Sequence, residues 1–443
     1  MTSVEVAEIR RPLSAYEHGF ATIHDISPLN VVAWVRVRGE VRAEWLARAA
    51  AWVVAAHPLL RVRVGPGQRG RREFEPVAGA RLPIRTVSAA PQDDAAAFRE
   101  IDEVELCTPI DQRHAPLVRM VDIVHAAGTT QEAHDLILTG AHVIVDATAL
   151  LALLRQIITA AAEFDELPVD AGHPAPYDLI PARARGLGRT AAVMLGDQLI
   201  GAVRRPRRVT VDDWVPIPQR RTRLLSRTIA GERVEALLHA CRREQTTVHG
   251  ALAAALAGAV GADLVPGGTG RVTIGSAVDL RADLIPVVGP DELGSYVTDL
   301  PGHIAFGPAV NFWDTARMAS RNIVRRKDFG QHLTTLTAAR LLFPQRWANT
   351  NRRVITFLDR QGPFGVGLSN LGRIDFPDRV GAWELSDAQF TASTPTGRIS
   401  CSVTTGASAL HWNFSYVAGL VATPRAERIA GDAVAAVLAA IDT

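Results

Sequence analysis

The segment LILTGAHVIVDATALLALL (residues 136–154) sets a histidine and an aspartate four positions apart, where one repeating pattern gives way to another. Asp135 to Thr139 reads as a strand, and from Ala147 to Phe164 apolar residues recur at helical spacing. His142 therefore follows a strand and Asp146 precedes a helix. Strand-to-helix junctions present side chains at the open edge of a sheet, held by the scaffold yet reachable. An imidazole placed there titrates near neutral pH and can take a proton from an incoming nucleophile, the work of a general base. Each residue also has a plainer reading. His142 could be a partly buried loop residue. Asp146 could be an N-cap whose carboxylate accepts a helix amide and complements the dipole, a role compatible with any other it has.

Other chemistries find less support. Cys107, Cys241 and Cys401 are far apart and match no zinc or redox spacing, so no metal and no disulfide framework is expected, and a reducing cytoplasm fits. There is no GxSxG elbow for a serine nucleophile. GPGQRG (65–70) has dinucleotide-site glycines, but strand-like REFEPV follows where a helix is required, so it reads as a hairpin turn. His249 reads as a packed helical histidine, and His18 and His24 receive no assignment. The run Arg204, Arg205, Arg207, Arg208 could meet phosphates or an acidic partner, or be a solvated linker.

The chain of 443 residues is long enough for two or three folding units. Its 47% hydrophobic and 21% charged residues are ordinary globular usage. The 48 basic and 46 acidic residues are interspersed, which gives no strong field for nucleic acid or an anionic membrane; the exception is local, at Arg204, Arg205, Arg207 and Arg208. No secretory leader is expected, and the longest apolar stretch, 251–262, is too short to span a bilayer.

Strands are expected at Val31–Arg38, Leu59–Val64, Arg72–Val77 and Leu117–Val124, with helices over Val41–His57 and Ala95–Leu106. Between 168 and 223 prolines interrupt the pattern and suggest a linker. Beyond it the expectation is a strand at Leu224–Ile229, helices at Gly231–Glu244 and, capped by Thr247, up to Val260, then strands at 271–279, 353–358, 365–371, 398–404 and 409–416. A helix closes the chain over 425–441. The class is α/β.

HVIVDA resembles the HxxxDG signature of the condensation-domain and chloramphenicol-acetyltransferase-like superfamily. RPLSAYE (11–17), HPLLR (57–61), TVHGAL (247–252), SAVDLR (276–281), LGSYV (293–297) and LSNLGRI (368–374) resemble its other marks, in order, across almost the whole chain. The overall pattern is most similar to polyketide-associated acyltransferases of the phthiocerol dimycocerosyl transferase kind and to related alcohol acetyltransferases. Two positions depart from it: Ala141 stands where many members have a second histidine, and Ala147 replaces the motif glycine.

The resemblance implies two acetyltransferase-like halves arranged as a V around an active-site tunnel: 1–170, then a Pro/Arg-rich linker at 171–222, then 223–443. It implies transfer of an acyl group from acyl-CoA or an acyl carrier protein to a small alcohol, with His142 as base. No bound cofactor is implied; the thioester is a co-substrate. Asp146 and Arg281 would form a structural pair. Ser369 and Asn370 would line the oxyanion or acceptor site, and Arg204, Arg205, Arg207 and Arg208 would meet donor phosphates or a carrier. A cytoplasmic monomer is expected. Amide formation on an amine acceptor is the near alternative, and a non-catalytic carrier-binding module, suggested by Ala141 and Ala147, the distant one.

Overall fold

The computed structural model describes residues 8–442, apart from 68–70, 164–171, 173, 344–347 and 362–364. The boundary expected at 170–171, the end of the Ala147 helix at Phe164 and part of the GPGQRG turn lie outside the described residues.

Two six-stranded sheets dominate. The strands are β1 (Asn30–Arg38), β2 (Ile84–Ala89), β3 (Val118–His125), β4 (Ala133–Ala141), β5 (Thr222–Ala230), β6 (Gly270–Asp279), β7 (Val297–Phe306), β8 (Val366–Arg373), β9 (Arg379–Val380), β10 (Trp383–Ala392), β11 (Ile399–Thr405) and β12 (Ala409–Val417). The first sheet runs β9-β10-β1-β4-β3-β2 and the second β7-β6-β8-β11-β12-β5. Arg11–Pro12, Glu73–Pro76 and Val62–Gly65 form a small third sheet. The main helices are α1 (Ala15–Ile26), α2 (Ala43–Ala56), α3 (Ala147–Glu163), α4 (Leu187–Arg204), α5 (Gly231–Arg243), α6 (Val248–Leu264), α7 (Phe312–Asp328), α8 (Gln331–Leu342), α9 (Ala348–Gln361) and α10 (Thr423–Ile441).

Alternation on β1 and helical spacing on α2 and α3 bury one core around Leu46, Val53, Leu138 and Leu154. A second core surrounds Trp412, Phe414 and the Ala-rich α6. Small residues on α6 serve close packing. A Cβ on Gly250 would come 2.5 Å from the Ala316 carbonyl of α7, and one on Gly261 would enter the Phe306 ring.

Three readings need correction. Residues 353–358 belong to helix α9, because Asn351, Ile355 and Asp359 share one buried face at four-residue spacing. The stretch read as linker contains the 18-residue helix α4, of which only Thr190 is buried. Pro58–Arg61 is a 3-10 turn, and the strand there is only Val62–Gly65. One connection was not anticipated: β10, from the C-terminal part of the chain, pairs antiparallel with β1, Phe390 opposite Ala33, and so completes the first sheet.

Candidate active site

β4 ends at Ala141, and five residues turn the chain into α3. Their backbone is tied on both sides: the His142 amide donates to the Leu29 carbonyl (3.1 Å) and the Asp146 amide to the Gly294 carbonyl (3.2 Å). Residues 140–146 of the first core are thereby joined to the 294–297 segment that leads into β7. Asp146 Oδ1 accepts the Ala149 amide at 2.9 Å, so it caps α3. Ala147 opens that helix and is not among the residues with positive φ, so the position has no need of glycine.

The structure brings Asp146 and Arg281 together. Arg281 donates to both carboxylate oxygens, at 2.8 and 3.0 Å, and the Tyr296 amide adds a bond of 2.8 Å to Oδ2. Both side chains are buried, and the guanidinium lies 4.9 Å from the centre of the Tyr296 ring. Burial alone would raise the Asp146 pKa; the charge and hydrogen bonds of Arg281, with the two amides, outweigh it and hold the carboxyl below its usual value. Asp146 therefore has its acceptor capacity filled and does not hydrogen-bond His142.

His142 is half-buried. Its Nδ1 lies 2.9 Å from the Val145 carbonyl. A carbonyl only accepts, so Nδ1 carries the proton and Nε2 keeps the lone pair. Ser295 Oγ stands 3.4 Å from the same Nδ1. Nε2 has no hydrogen-bond partner among the described residues. The ring of Phe20 stacks on the imidazole, with centroids 4.5 Å apart and planes at 22°. Burial pushes the imidazole pKa below its ordinary value, and the charge of Asp146 and the Val145 carbonyl restore only part of that loss. At neutral pH the ring is therefore an unprotonated base with an open nitrogen.

Phe20, Ser295 and Tyr296 were not singled out from the sequence, although RPLSAYE and LGSYV hold the clue. Ser14-x-x-Glu17 is a capping box that starts α1. Arg11 clamps Glu17 at 2.7 and 2.9 Å, and the Tyr16 hydroxyl donates to the Val297 carbonyl at 2.6 Å. One turn on from Tyr16, Phe20 reaches the histidine. Asp299, two residues beyond Val297 on β7, is a second titratable group on this strand; its side chain reaches solvent yet is surrounded by protein, and that partial desolvation pushes its pKa up to about 6.

None of the other singled-out residues makes a hydrogen bond or ring contact with His142 among the described residues. Ser369 and Asn370 are on β8, opposite Ser402 and Val403 of β11, and neither contacts the imidazole. Asn370 Oδ1 accepts the Gly372 amide at 2.9 Å in a local turn, Gly372 having φ +69°. Arg204, Arg205 and Arg207 line a hollow of about 630 Å³ at the Gly270–Phe306 end of the β6–β7 pair, and Arg208 donates to the Arg360 carbonyl at 3.0 Å. His142 meets the opposite end of that pair, and Arg271 and Asp279 are separated by about 27 Å at the strand rise. His249 Nε2 is 2.9 Å from Ser276 Oγ, its pKa pushed down to about 4 by burial. His18 accepts from Asn351, and His24 bridges backbone at Leu29 and Ile110, so both are structural. No cluster of metal-binding side chains occurs among the described residues.

Comparison with known proteins agrees with this architecture. Residues 217–411 match the family described as Phthiocerol/phthiodiolone dimycocerosyl transferase C-terminus. A search of curated protein sequences found no match. Among solved structures, the SgcC5 protein of Streptomyces globisporus is 16% identical with a TM-score of 0.69, covering 98% of this chain and 99% of that one. The first condensation domain of the calcium-dependent antibiotic synthetase is 15% identical with a TM-score of 0.69 (98% and 97% covered). The epimerization domain from the third module of tyrocidine synthetase B is 14% identical with a TM-score of 0.66 (99% and 97% covered). The chain thus has the condensation-domain fold of two chloramphenicol-acetyltransferase-like halves, and its residues 217–411 are similar to the phthiocerol/phthiodiolone dimycocerosyl transferase C-terminal family.

Proposed function

We propose that the chain is an acyltransferase that moves an acyl group from a thioester, acyl-CoA or acyl carrier protein, to the hydroxyl of a small alcohol in lipid or natural-product biosynthesis. The observation that carries this reading is the His142 ring: Nδ1–H is held by the Val145 carbonyl and Nε2 is left unprotonated and unpartnered. An acceptor hydroxyl donating to Nε2 loses its proton as its oxygen attacks the thioester carbonyl. The tetrahedral oxyanion that forms collapses, the C–S bond breaks, and the departing thiolate takes the proton back from the imidazolium. No acyl-enzyme is needed. The Asn370 amide nitrogen and the Ser369 hydroxyl are the donors proposed for the oxyanion or acceptor side.

Asp146 is a positioning residue in this scheme. Its bonds to Arg281 and to the Ala149 and Tyr296 amides fix the loop that holds the imidazole. Phe20 restricts the ring from one face. The synthetase domains among the structural neighbours support a second reading, amide formation on an amine, since the same base would serve either acceptor.

The test offers purified protein acetyl-CoA, longer acyl-CoAs and an acylated carrier protein, each with paired alcohol and amine acceptors. Ester formation from at least one thioester is expected. Amide formation alone would favour the second reading, and absence of transfer from every pairing would contradict an enzymatic role.

A further inference from the structure

Among the described residues, exposed large apolar side chains concentrate on two helices. On α4, Leu195, Leu199 and Val203 recur every four residues on one face and are 62%, 58% and 82% exposed. On α7, Met318 and Val324 are exposed, as is Phe329 just past its end. The two helices share one surface. Ile200, Arg325 and Phe329 line a common hollow of about 450 Å³, and Arg204, Met318 and Arg325 line the next, of about 460 Å³.

Arginines are interleaved with these side chains. Arg204, Arg205, Arg321 and Arg325 are exposed and have no ion-pair or side-chain hydrogen-bond partner among the described residues, and Arg271 beside them reaches only the His303 carbonyl at 3.4 Å. Their neighbour Arg326, in contrast, is closed by Asp197 at 2.7 Å. Partial burial, with the like charges of Arg271, Arg325 and Arg326, pushes the Arg204 pKa down. Complementing a helix dipole accounts for Arg204 and Arg325, each in a last turn, but not for Arg271 on a strand or Arg321 in mid-helix. Arg205 holds φ at +43°, an uncommon conformation without glycine, and this turn carries the chain back so that the Arg207 amide bonds the Arg271 carbonyl at 2.7 Å.

We propose that the α4–α7 surface binds the face of an anionic lipid bilayer, with Leu195, Leu199, Val203 and Phe329 entering the headgroup boundary and Arg204, Arg205, Arg321 and Arg325 on lipid phosphates. A helix almost unburied by its own protein, apolar on its outward face and flanked by cations, has the chemistry of an interfacial helix. The side chains protrude, which suits insertion between headgroups, and arginine stems can lie along the apolar layer while their heads reach phosphate. No single helix among the described residues is long and apolar enough to cross a membrane. The inference stands apart from the acyl-transfer proposal, since binding is read without turnover.

The test is flotation of the full chain with vesicles of phosphatidylglycerol and phosphatidylcholine in equal parts, and with phosphatidylcholine alone, in about 0.1 M salt. Binding to the anionic vesicles only, released by high salt, is expected. Arg204→Glu with Arg325→Glu should weaken it by at least about 25-fold, roughly fivefold per arginine removed. Leu199→Asp with Val203→Asp should abolish it, while the distant pair Arg81→Glu with Arg242→Glu, matched in charge, should leave most of it. All these positions are exposed, and unchanged unfolding midpoints confirm that each variant is folded. Failure of the wild type to float with anionic vesicles would overturn the proposal. So would equal loss in the distant pair, or binding that survives the two aspartates. Capture by polyglutamate without flotation would assign the surface to an acidic protein and overturn it as well.

Discussion

Replacing Asp146 by alanine removes four hydrogen bonds at once: two from Arg281 and one each from the Ala149 and Tyr296 amides. Breaking a buried ion pair from one side typically costs about 3–5 kcal/mol, because the remaining charge is left uncompensated. Losing an N-cap adds about 1 kcal/mol. Arg281 retains Asp279 at 3.3 Å, which softens the first figure, so about 3–5 kcal/mol in all is expected. Stabilities of 5–15 kcal/mol are usual for folded domains, so such a loss would be plain in urea unfolding at pH 7. The double variant Asp146→Ala/Arg281→Met should lose less than the sum of the single changes, since no buried charge is orphaned. The folded-state pKa of Asp146 is depressed, so the pair is complete above the ordinary carboxylate range. The gap between wild type and Asp146→Asn should hold from pH 7 to about pH 5 and close only as pH falls through the depressed value. An Asp146→Ala protein within about 1 kcal/mol of wild type, or strict additivity in the double variant, would refute the reasoning.

The pKa of His142 is lowered by burial, so the unprotonated base persists in mild acid. The acid limb of kcat/KM should have its midpoint below about 6.5, where an ordinary histidine titrates, and a midpoint at or above that value would contradict the assignment. Asp299→Asn should leave that limb in place; loss of the limb would transfer it to Asp299. Phe20→Ala frees one face of the imidazole and should lower kcat by roughly twofold to tenfold, the worth of one stacked pair, with Phe20→Tyr restoring it. Gly140→Ala would place a Cβ 2.6 Å from Val145 Cγ2 and 3.2 Å from Leu150 Cδ1, and should cost about 1–3 kcal/mol in urea unfolding.

Local periodicity made most of the regular elements legible. β1, α2, β4 and α3 follow from alternation and helical spacing, and the strand-to-helix handover marked residues 142–146 as a place for chemistry. What escaped depended on distant partners or on helices with unusual faces. Helix α4 contains Gly188, Gly196 and Gly201 and turns its leucines outward, so nothing in it resembles a core-facing helix. In α9 the run VITFL looks strand-like until Asn351, Ile355 and Asp359 are seen to share a face. There Asp359 closes on Arg220 at 2.6 and 2.8 Å. The pairing of β10 with β1 joins opposite ends of the chain, which alternation alone cannot specify. The site was legible in part for the same reason. Its histidine and aspartate are neighbours in sequence, whereas Phe20 and Ser295 reach the imidazole only through the fold.

The account rests on His142 acting as the base, and the most direct measurement is steady-state acyl transfer by His142→Ala beside wild type, on whichever thioester and acceptor the native protein uses. Turnover reduced by about 10²–10⁴-fold, with an unchanged urea midpoint, is the predicted result. Transfer within a few-fold of wild type would contradict it.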